Sequence, residues 1–315
     1  MIEKKLEIMI ITYNRSKDLE NTFKQLLKSP FTKCKITILD NCSNDNTHHI
    51  CLKYQKIFSN MKIIRHKKNI GGGPNYLRAV ELSKSQYTWI LCDDDNYDFS
   101  GCLDVINALE SENFDLIIVT SHFHFGWERG LSTTSTELIK RDSRYYHTLS
   151  FIPSIIFKTE LFDSECVTEG YHNVNNLYPH FEFINRSVNE NFSVYVSKNE
   201  IVGPGWRNPA NFSFLKWIII WMNSCSTIKN KKIRENAIYG LSYNNDPFVS
   251  TVLRNVISEK CKEEKPYKNI FSLALAFIVA FEFDRNQLLL LLIIPLALIP
   301  SFPFKIASKY RNRNL

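Results

Sequence analysis

Three consecutive aspartates, Asp93, Asp94 and Asp95, are the residues of this 315-residue chain whose types and spacing point most directly to chemistry. They follow residues 87–92, an apolar run with the composition of a buried strand. Three carboxylates at the end of such a strand repel one another and lose hydration, so the cluster needs a positive partner. A hard divalent cation with oxygen ligands is the usual partner. The triplet therefore predicts a cation site, with a polar turn that caps the next helix as the alternative.

Polar clusters also follow three earlier apolar runs of the chain. Tyr13 and Asn14 follow the first run, Asp40 follows the second, and the glycines at 71–73 follow the third. In proteins with a parallel sheet, ligands bind in the crevice beyond the carboxyl ends of the strands. We therefore expect these three clusters and the aspartate triplet to line one crevice.

The segments that must position these clusters alternate between strand-like and helix-like patterns. Short apolar runs alternate with longer segments whose apolar residues recur at helical spacing, such as Leu19, Phe23 and Leu26. This alternation predicts an α/β fold with a mostly parallel sheet flanked by helices. The predicted strands are residues 6–12, 35–39, 61–65, 86–92 and 114–120, and the predicted helices include 17–28 and 179–190.

Four motifs, in this order and at these spacings, resemble those of the inverting glycosyltransferases of family 2. They are Ile-Ile-Thr-Tyr-Asn-Arg at 10–15, Leu-Asp-Asn-Cys-Ser-Asn-Asp at 39–45, Asn69-x-Gly71-Gly72, and Leu-Cys-Asp-Asp-Asp-Asn at 91–96. The resemblance covers residues 5–120 well and 121–210 loosely. It implies the Rossmann-like GT-A fold and an enzyme of the kind that builds bacterial surface polysaccharides.

The resemblance also implies a role for each aspartate of the triplet. In the family the last Asp of the acidic motif, here Asp95, ligates Mn²⁺ or Mg²⁺. The preceding acids, here Asp93 and Asp94, contact the ribose or assist the metal. A cation that bridges carboxylates and a nucleotide diphosphate offsets the charge of the leaving group as the glycosidic bond breaks. We therefore expect a divalent metal held by Asp95 and Asp93.

Five more residues are candidates for binding the nucleotide. By similarity, Asp40 would accept a hydrogen bond from the N–H of uracil or thymine, and Thr12 and Tyr13 would frame the base. Tyr13 would do so by stacking, unless it is an ordinary aromatic at the sheet edge. The glycine run at Gly71 permits close approach of a phosphate, although a plain tight turn is the alternative. Arg78, one turn inside the following helix, is a candidate for a phosphate or base contact.

Inverting transfer requires a general base that takes the proton of the acceptor hydroxyl. Family members carry an acid for this task well downstream, often where a helix begins, and this position offers Glu182 and His180. Residues two apart do not share a helix face, so only one of the two can easily point into the cleft. We favour Glu182 over His180. Glu169 and Asp163 stay open as candidates, because the plain Glu-Asp pair common in the family is absent here.

The charge and the cysteines limit the partners and the compartment. The net charge is +7, and the basic residues crowd the C-terminal end, which indicates an anionic surface as partner. The chain has no zinc-finger spacing and no RNA-binding aromatic motif, so we expect a membrane surface and no nucleic acid. The eight cysteines include no CxxC pair, which is typical of a cytoplasmic, reduced protein.

The last segment, 261–315, combines basic residues with two apolar stretches, 270–283 and 288–304. Each stretch is at or below the length that spans a bilayer comfortably, and both outer flanks are basic. This pattern favours a peripheral or re-entrant hairpin at the inner face of the cell membrane, with a buried helix pair or a dimer interface as the alternative. Before it we expect a nucleotide-sugar-binding half, 1–120, and an acceptor-facing half, 121–260, of one GT-A domain.

Together these features predict a metal-dependent inverting glycosyltransferase. It would move a hexose-type sugar from a UDP- or dTDP-sugar to a glycan acceptor, lipid-linked in our interpretation, in surface polysaccharide synthesis. The unusual base region keeps one alternative open, a non-catalytic nucleotide-sugar-binding or scaffolding subunit of a membrane glycan-assembly complex. A nucleotidyltransferase would require an N-terminal glycine-rich loop with basic residues, and residues 12–15 do not form one.

Overall fold

The computed structural model describes residues 1–122, 128–174, 178–203, 205, 214–240 and 252. The chain divides into two compact units, Met1–Arg207 and Asn208–Leu315. The predicted membrane-associating segment, 261–315, lies outside the described residues. The division into a nucleotide half and an acceptor half at residue 120 stays a prediction about function.

The first seven long elements alternate between strand and helix, as the sequence predicts. The elements are β1 (Leu6–Thr12), α1 (Ser16–Leu26), β2 (Lys35–Asp40), α2 (Thr47–Gln55), β3 (Met61–Arg65), α3 (Gly72–Leu82) and β4 (Tyr87–Cys92). Three parallel pairings join the strands, with β1 between β2 and β4 and with β3 beyond β2. Strands β1, β2 and β4 are almost fully buried because parallel strands of this kind are covered on both faces, whereas β3, at the end of the strand order, is partly exposed.

The later strands make the sheet mixed rather than parallel throughout. The elements are β5 (Asn96–Tyr97), α4 (Leu103–Ser111), β6 (Leu116–Ser121), β7 (Leu131–Thr134), α5 (Ser135–Arg141), α6 (Arg144–Leu149), β8 (Ile155–Lys158), α7 (Ser164–His172), α8 (Phe181–Asn189) and β9 (Ser193–Gly203). The strand order is β3-β2-β1-β4-β8-β6-β9-β5, and β7 also pairs with β9. β8 runs antiparallel between β4 and β6, while β6 and β9 are parallel.

Aromatic packing anchors β4 immediately before the aspartate triplet. Trp89 is fully buried, and its ring meets Phe31 and Phe99 edge to face at centroid distances of 5.6 and 5.8 Å. Its indole Nε1 donates to the carbonyl of Pro153 at 2.9 Å, so its polar atom is also satisfied. Because Trp89 is packed between aromatic rings and hydrogen-bonded, we expect β4 and the acidic turn that follows it to be rigid.

In the second unit, the described residues form two helices, α9 (Phe214–Cys225) and α10 (Lys231–Tyr239). The indole Nε1 of Trp221 donates to the carbonyl of Ala237 at 3.1 Å and joins the two helices. The side chain of Asn230 caps the start of α10 by accepting from the amide of Ile233. Among the described residues, none of the helices combines the length and apolar character needed to cross a bilayer.

Candidate active site

The aspartate triplet forms the turn between β4 and β5. Asp93 and Asp95 are only 2% and 4% exposed, although both carry carboxyl groups. The hydroxyl of Thr22 donates to the carbonyl of Asp93 at 3.1 Å, and the hydroxyl of Tyr97 donates to the carbonyl of Cys92 at 2.8 Å. The fold therefore holds the turn in place by its backbone and buries carboxyl groups there.

The triplet offers ligands that suit a hard divalent cation. Asp94, Asp95 and Cys92 each present one ligand atom, and these atoms lie within 4.8 Å of one another. Burial raises the pKa of Asp95 to about 8, and the neighbouring carboxylates of Asp94 and Asp93 add to the rise. Burial also raises the pKa of the Cys92 thiol well above its ordinary value, which leaves it protonated. The carboxylate oxygens of Asp94 and Asp95 thus fit Mn²⁺ or Mg²⁺, and the thiol does not.

Arg15 is a site residue to which the sequence analysis gave no role. Its Nη1 lies 2.9 Å from Oδ1 of Asp93 and 2.7 Å from Oδ2 of Asp94. Burial raises the pKa of Asp93 to about 6, against the opposing effect of the Arg15 guanidinium. Asp93, predicted as a metal ligand, therefore has one oxygen committed to Arg15. The signal was present in the sequence, because Arg15 ends the first motif.

Asp40 lies at the end of β2 and is completely buried. Its Oδ1 accepts from the amide of Ser43 at 2.8 Å, which fixes the carboxyl group. Its Oδ2 faces Nε of Arg65 at 3.3 Å and Nδ1 of His48 at 4.0 Å. Arg65 and His48 are two further site residues that the sequence analysis did not single out.

The loop after β1 is joined to the loop after β2 by backbone-directed hydrogen bonds. Asn14 adopts a left-handed conformation with φ of 53°, its amide donates to Oγ of Ser43, and its side chain accepts from the amide of Asn44. The amide of Arg15 donates to Oγ1 of Thr47 at 3.1 Å. These hydrogen bonds fix the backbone position of Arg15. They also hold the adjoining Tyr13, whose ring is 41% exposed and accessible for stacking.

The loop after β3 is tied to the same place through Asn41. The side-chain amide of Asn41 donates to Oδ1 of Asn69 and to the carbonyl of Gly71, and its Oδ1 accepts from the amide of Ile70. Gly71 has φ of +93°, a conformation that residues with a Cβ rarely adopt. The structure therefore brings Gly71 beside the end of β2, as the convergence of clusters predicts.

Arg78, by contrast, is engaged elsewhere. Its guanidinium forms an ion pair with Glu81, three residues further along α3. The side chain is 45% exposed, so it keeps access to solvent. A role in phosphate or base binding would require this pair to open.

The structure distinguishes the two favoured candidates for the general base. His180 is completely buried, and its Nε2 lies 3.1 Å from the carbonyl of Ser150. Burial lowers the pKa of His180 to about 4, so the ring is neutral and packed inside. Glu182 is only partly buried, in the first turn of α8, and its Oε1 accepts from Asn173 at 2.7 Å. Burial raises the pKa of Glu182, as a general base near neutral pH requires. The geometry favours Glu182.

The other two candidates are less suited to that task. Asp163 caps α7 through the amides of Glu165 and Cys166, and its Oδ2 pairs with Arg186 at 2.6 Å. Glu169 is 52% exposed and lies 3.6 Å from His172. Asp163 is committed to a helix cap and an ion pair, and Glu169 is exposed, whereas Glu182 is partly buried and has one oxygen outside its hydrogen bond to Asn173.

The segment before Glu182 packs against the start of α3. A Cβ added to Gly73 would lie 3.4 Å from both Cγ2 and the carbonyl oxygen of Val174. A Cβ added to Gly170 would lie 2.7 Å from Leu77. Because α3 begins next to the Asn41 loop, this packing brings the α7–α8 region to the same end of the sheet as the acidic turn.

Three buried oxygen atoms at this end of the sheet make no hydrogen bond of good geometry within the described residues. They are Oγ1 of Thr12, Oδ2 of Asp40 and Oδ2 of Asp93. They belong to the carboxyl ends of β1, β2 and β4, which are neighbours in the sheet. Buried polar atoms that lack a hydrogen bond are rare and costly, so their concentration here indicates a site that a polar ligand completes.

Comparisons with known proteins show what the chain is similar to. The profile of the family described as Glycosyl transferase family 2 matches residues 7–192. A poly(ribitol-phosphate) beta-N-acetylglucosaminyltransferase, TarS of Staphylococcus aureus, is 28% identical over 166 residues, which cover 50% of this chain. The match spans 28% of the length of that relative.

Solved structures with the same fold include nucleotide-sugar complexes. S. aureus TarS 1–349 in complex with UDP-GlcNAc superposes with a TM-score of 0.68 at 17% identity, covering 97% of this chain and 92% of that chain. The mannosyltransferase PcManGT from Pyrobaculum calidifontis, in complex with GDP-Man and Mn²⁺, gives a TM-score of 0.51 at 13% identity, covering 97% of this chain and 84% of that chain. At these identities the likeness shows the fold, and it confirms the fold class predicted from the sequence.

Proposed function

The chain belongs to glycosyl transferase family 2, and we propose that it transfers a hexose-type sugar, with inversion, from a UDP- or dTDP-linked donor to a hydroxyl group of a glycan acceptor. The observation that carries this proposal is the group of buried oxygens of Thr12, Asp40 and Asp93 that make no hydrogen bond of good geometry within the described residues, beside a set of carboxylates that fits a divalent cation. A nucleoside would bring N–H and O–H donors for these oxygens. Its diphosphate would bring negative charge, which a cation held by the carboxylates would offset.

The nucleoside would occupy the ends of β1 and β2. The N–H of a uracil or thymine base would donate to Oδ2 of Asp40, which lacks a hydrogen bond within the described residues. Tyr13 would stack on the base, and its exposed ring supports that role. The UDP-GlcNAc bound to TarS, a protein of the same fold, supports UDP as the nucleotide.

The diphosphate would lie over the acidic turn. Mn²⁺ or Mg²⁺, when bound, supplies positive charge that stabilises the departing diphosphate. Asp95 and Asp94 would hold the ion, because one carboxylate oxygen of each lies within 4.8 Å of the other. Asp93 would then support the site through Arg15 rather than as the second ligand expected from the sequence.

Glu182 would take the proton of the acceptor. As the acceptor O–H bond breaks toward the carboxylate of Glu182, the acceptor oxygen forms its bond to the anomeric carbon. The bond from that carbon to the phosphate oxygen breaks on the opposite side, and the nucleoside diphosphate leaves with the electron pair. The hydrogen bond from Asn173 would hold Oε1 in place and leave Oε2 for the acceptor.

We further propose a lipid-linked glycan as acceptor and the inner face of the cell membrane as the place of reaction. The basic C-terminal end of a chain with net charge +7 supports attraction to anionic lipid headgroups. The poly(ribitol-phosphate) in the name of TarS supports a polymer that carries hydroxyl groups as the acceptor.

Calorimetry with the full chain tests the donor site. We expect UDP to bind in the presence of Mn²⁺, and Asp95→Ala to weaken that binding about tenfold or more, because one metal ligand is lost. Asp98→Ala, which removes an exposed carboxylate close by in the chain, is the matched control and should bind like wild type. UDP binding that is equally strong with and without Mn²⁺ would contradict the proposed site.

A further inference from the structure

The guanidinium of Arg15 contacts the acidic turn, and the backbone of Arg15 is fixed by a hydrogen bond. The backbone of Arg15 is held by Thr47, directly before α1 begins, so the side chain has a defined place from which to reach the turn. One nitrogen, Nη1, is shared between Oδ1 of Asp93 and Oδ2 of Asp94. Arg15 thus contacts two of the three carboxylates of the triplet and supplies one positive charge between them.

The two halves of this interaction differ in burial. The side chain of Asp93 is 2% exposed, and that of Asp94 is 24% exposed. A pair with a buried carboxylate is strongly favoured over leaving that carboxylate alone, whereas a solvated pair contributes little. The contact with Asp93 is therefore the anchor, and the contact with Asp94 is the one that can open.

Asp94 cannot serve Arg15 and a divalent cation equally well. Asp94 belongs to the set of residues whose ligand atoms lie within 4.8 Å of one another, and its Oδ2 lies 2.7 Å from the guanidinium. A dication bound to the same carboxylate would come close to a positive charge, and like charges at such distances repel strongly where burial limits screening. Binding of the ion therefore favours release of Asp94 by Arg15.

We propose that Arg15 is a cation with two positions, holding Asp94 in the metal-free protein and contacting the donor diphosphate once the metal is bound. This inference deepens the proposed function and rests on it. Arg15 keeps its contact with Asp93 in both positions. Its guanidinium is suited to the second one, because it binds phosphate oxygens through a planar fork of N–H donors and its side chain is 46% exposed.

The proposal predicts effects of opposite sign on two affinities. Removing the charge of Arg15 removes a competitor of the metal, so Mn²⁺ alone should bind more tightly. The same change removes a contact to the diphosphate, so UDP should bind more weakly when Mn²⁺ is saturating. Simple damage to the acidic turn would weaken both affinities, and this difference separates positioning from a structural role.

The experiment measures both affinities by calorimetry for full-length wild type, Arg15→Gln and Arg15→Lys. Arg15→Gln should raise the affinity for Mn²⁺ alone and lower the affinity for UDP about tenfold. Arg15→Lys keeps the charge but loses the fork, so its Mn²⁺ affinity should stay close to that of wild type while UDP binds more weakly. Arg141→Gln, which removes an exposed arginine paired with Glu128, is the control and should change neither affinity.

The outcomes distinguish this inference from the function on which it rests. If wild type binds Mn²⁺ and UDP but both affinities fall together in Arg15→Gln, the two-position role is wrong and the proposed function stands. An unchanged Mn²⁺ affinity in Arg15→Gln also overturns it. If Arg15→Gln does not fold, Arg15→Lys decides, because equal UDP affinity in that variant contradicts a diphosphate contact. Wild type that binds neither ligand removes the proposed function itself.

Discussion

Single carboxyl groups carry much of the chemistry of this site, and the fold gives them fewer partners than their charge requires. Asp95 is almost completely buried, and its pKa is raised to about 8 by that burial. Asp40 and Asp93 each keep one oxygen without a hydrogen bond in the described part of the chain. Groups in this condition gain most from a ligand that supplies positive charge or N–H donors.

Glu182→Gln should separate binding from catalysis. The side-chain amide of the variant cannot take the proton of the acceptor hydroxyl, so we expect sugar transfer to fall about a hundredfold or more. The affinity for UDP in the presence of Mn²⁺ should stay close to that of wild type. Glu169→Gln is the control, since Glu169 is exposed in α7. Loss of transfer in Glu169→Gln, together with normal turnover in Glu182→Gln, would show that Glu182 is not the general base.

The pH profile tests the same residue. Burial raises the pKa of Glu182, and the base works only when it is deprotonated, so activity should fall as the pH drops through the raised pKa. The acidic limb of kcat/KM should therefore lie above the ordinary range of a glutamate, about 4.3. The Asn173→Ala variant loses a hydrogen bond that favours the charged form, so its acidic limb should move further up. A limb that does not move in Asn173→Ala would speak against Glu182.

For single residues, the sequence indicated which ones lie together at the candidate site but not how their side chains pair. Asp40, Thr12 and the aspartate triplet could be placed together, because each ends a strand of a parallel sheet. Arg15 and its ion pairs could not, since its partners lie far along the chain and pairing depends on side-chain direction. Burial of His180 is likewise a property of the folded protein.

Short elements position the acidic turn as much as the long ones do. β5 pairs with the end of β9, which fixes the turn on the side away from β4. The loops after β1, β2 and β3 are tied to one another through Asn14 and Asn41. The sequence predicted β1 to β4 and α1 because their apolar residues recur with a clear period. A strand of two residues such as β5, or the antiparallel β8, carries no such signal.

The segment that leaves β9 gives a prediction about these elements. A Cβ at Gly205 would clash with the carbonyl oxygen of Asp94 and with Cα of Asp95, both backbone atoms of the acidic turn. Gly205→Ala should therefore displace the turn and weaken Mn²⁺ binding about tenfold. Calorimetry measures the affinity, and a thermal melt shows whether the fold persists.

Gly203 supplies the matched control for that substitution. A Cβ at Gly203 would meet Asn96 at 3.7 Å, which is ordinary van der Waals contact. Gly203→Ala should therefore bind Mn²⁺ like wild type. Equal losses of affinity in the two variants would mean that the acidic turn does not depend on the close approach of Gly205.

For the whole molecule, the first unit contains the described sheet and all the candidate site residues named above. We expect a fragment of residues 1–207 to fold and to bind UDP in the presence of Mn²⁺ with an affinity close to that of the full chain. Circular dichroism and calorimetry check the two parts of this prediction. A folded fragment that fails to bind UDP, while the full chain binds it, would show that residues beyond 207 contribute to the site.

Fold class was the most accessible property of the whole molecule. Repeated strand and helix patterns with polar strand ends are sufficient to predict an α/β sheet with a site at its carboxyl edge. The mixed character of the later strands was not accessible, because strand direction depends on connections that residues after 120 do not reveal by periodicity. The predicted membrane role of 261–315 stays a prediction.

The buried oxygens of Thr12, Asp40 and Asp93 that lack a hydrogen bond within the described residues also bear on the lifetime of the protein in a cell. On the proposed function, the donor binds the native chain and not the unfolded one, and a hundredfold excess over Kd then stabilises it by about 2.7 kcal/mol. A cell that exhausts its nucleotide sugar would expose the chain to proteolysis more often. The abundance of the enzyme would then follow the supply of its own donor, with no separate regulator.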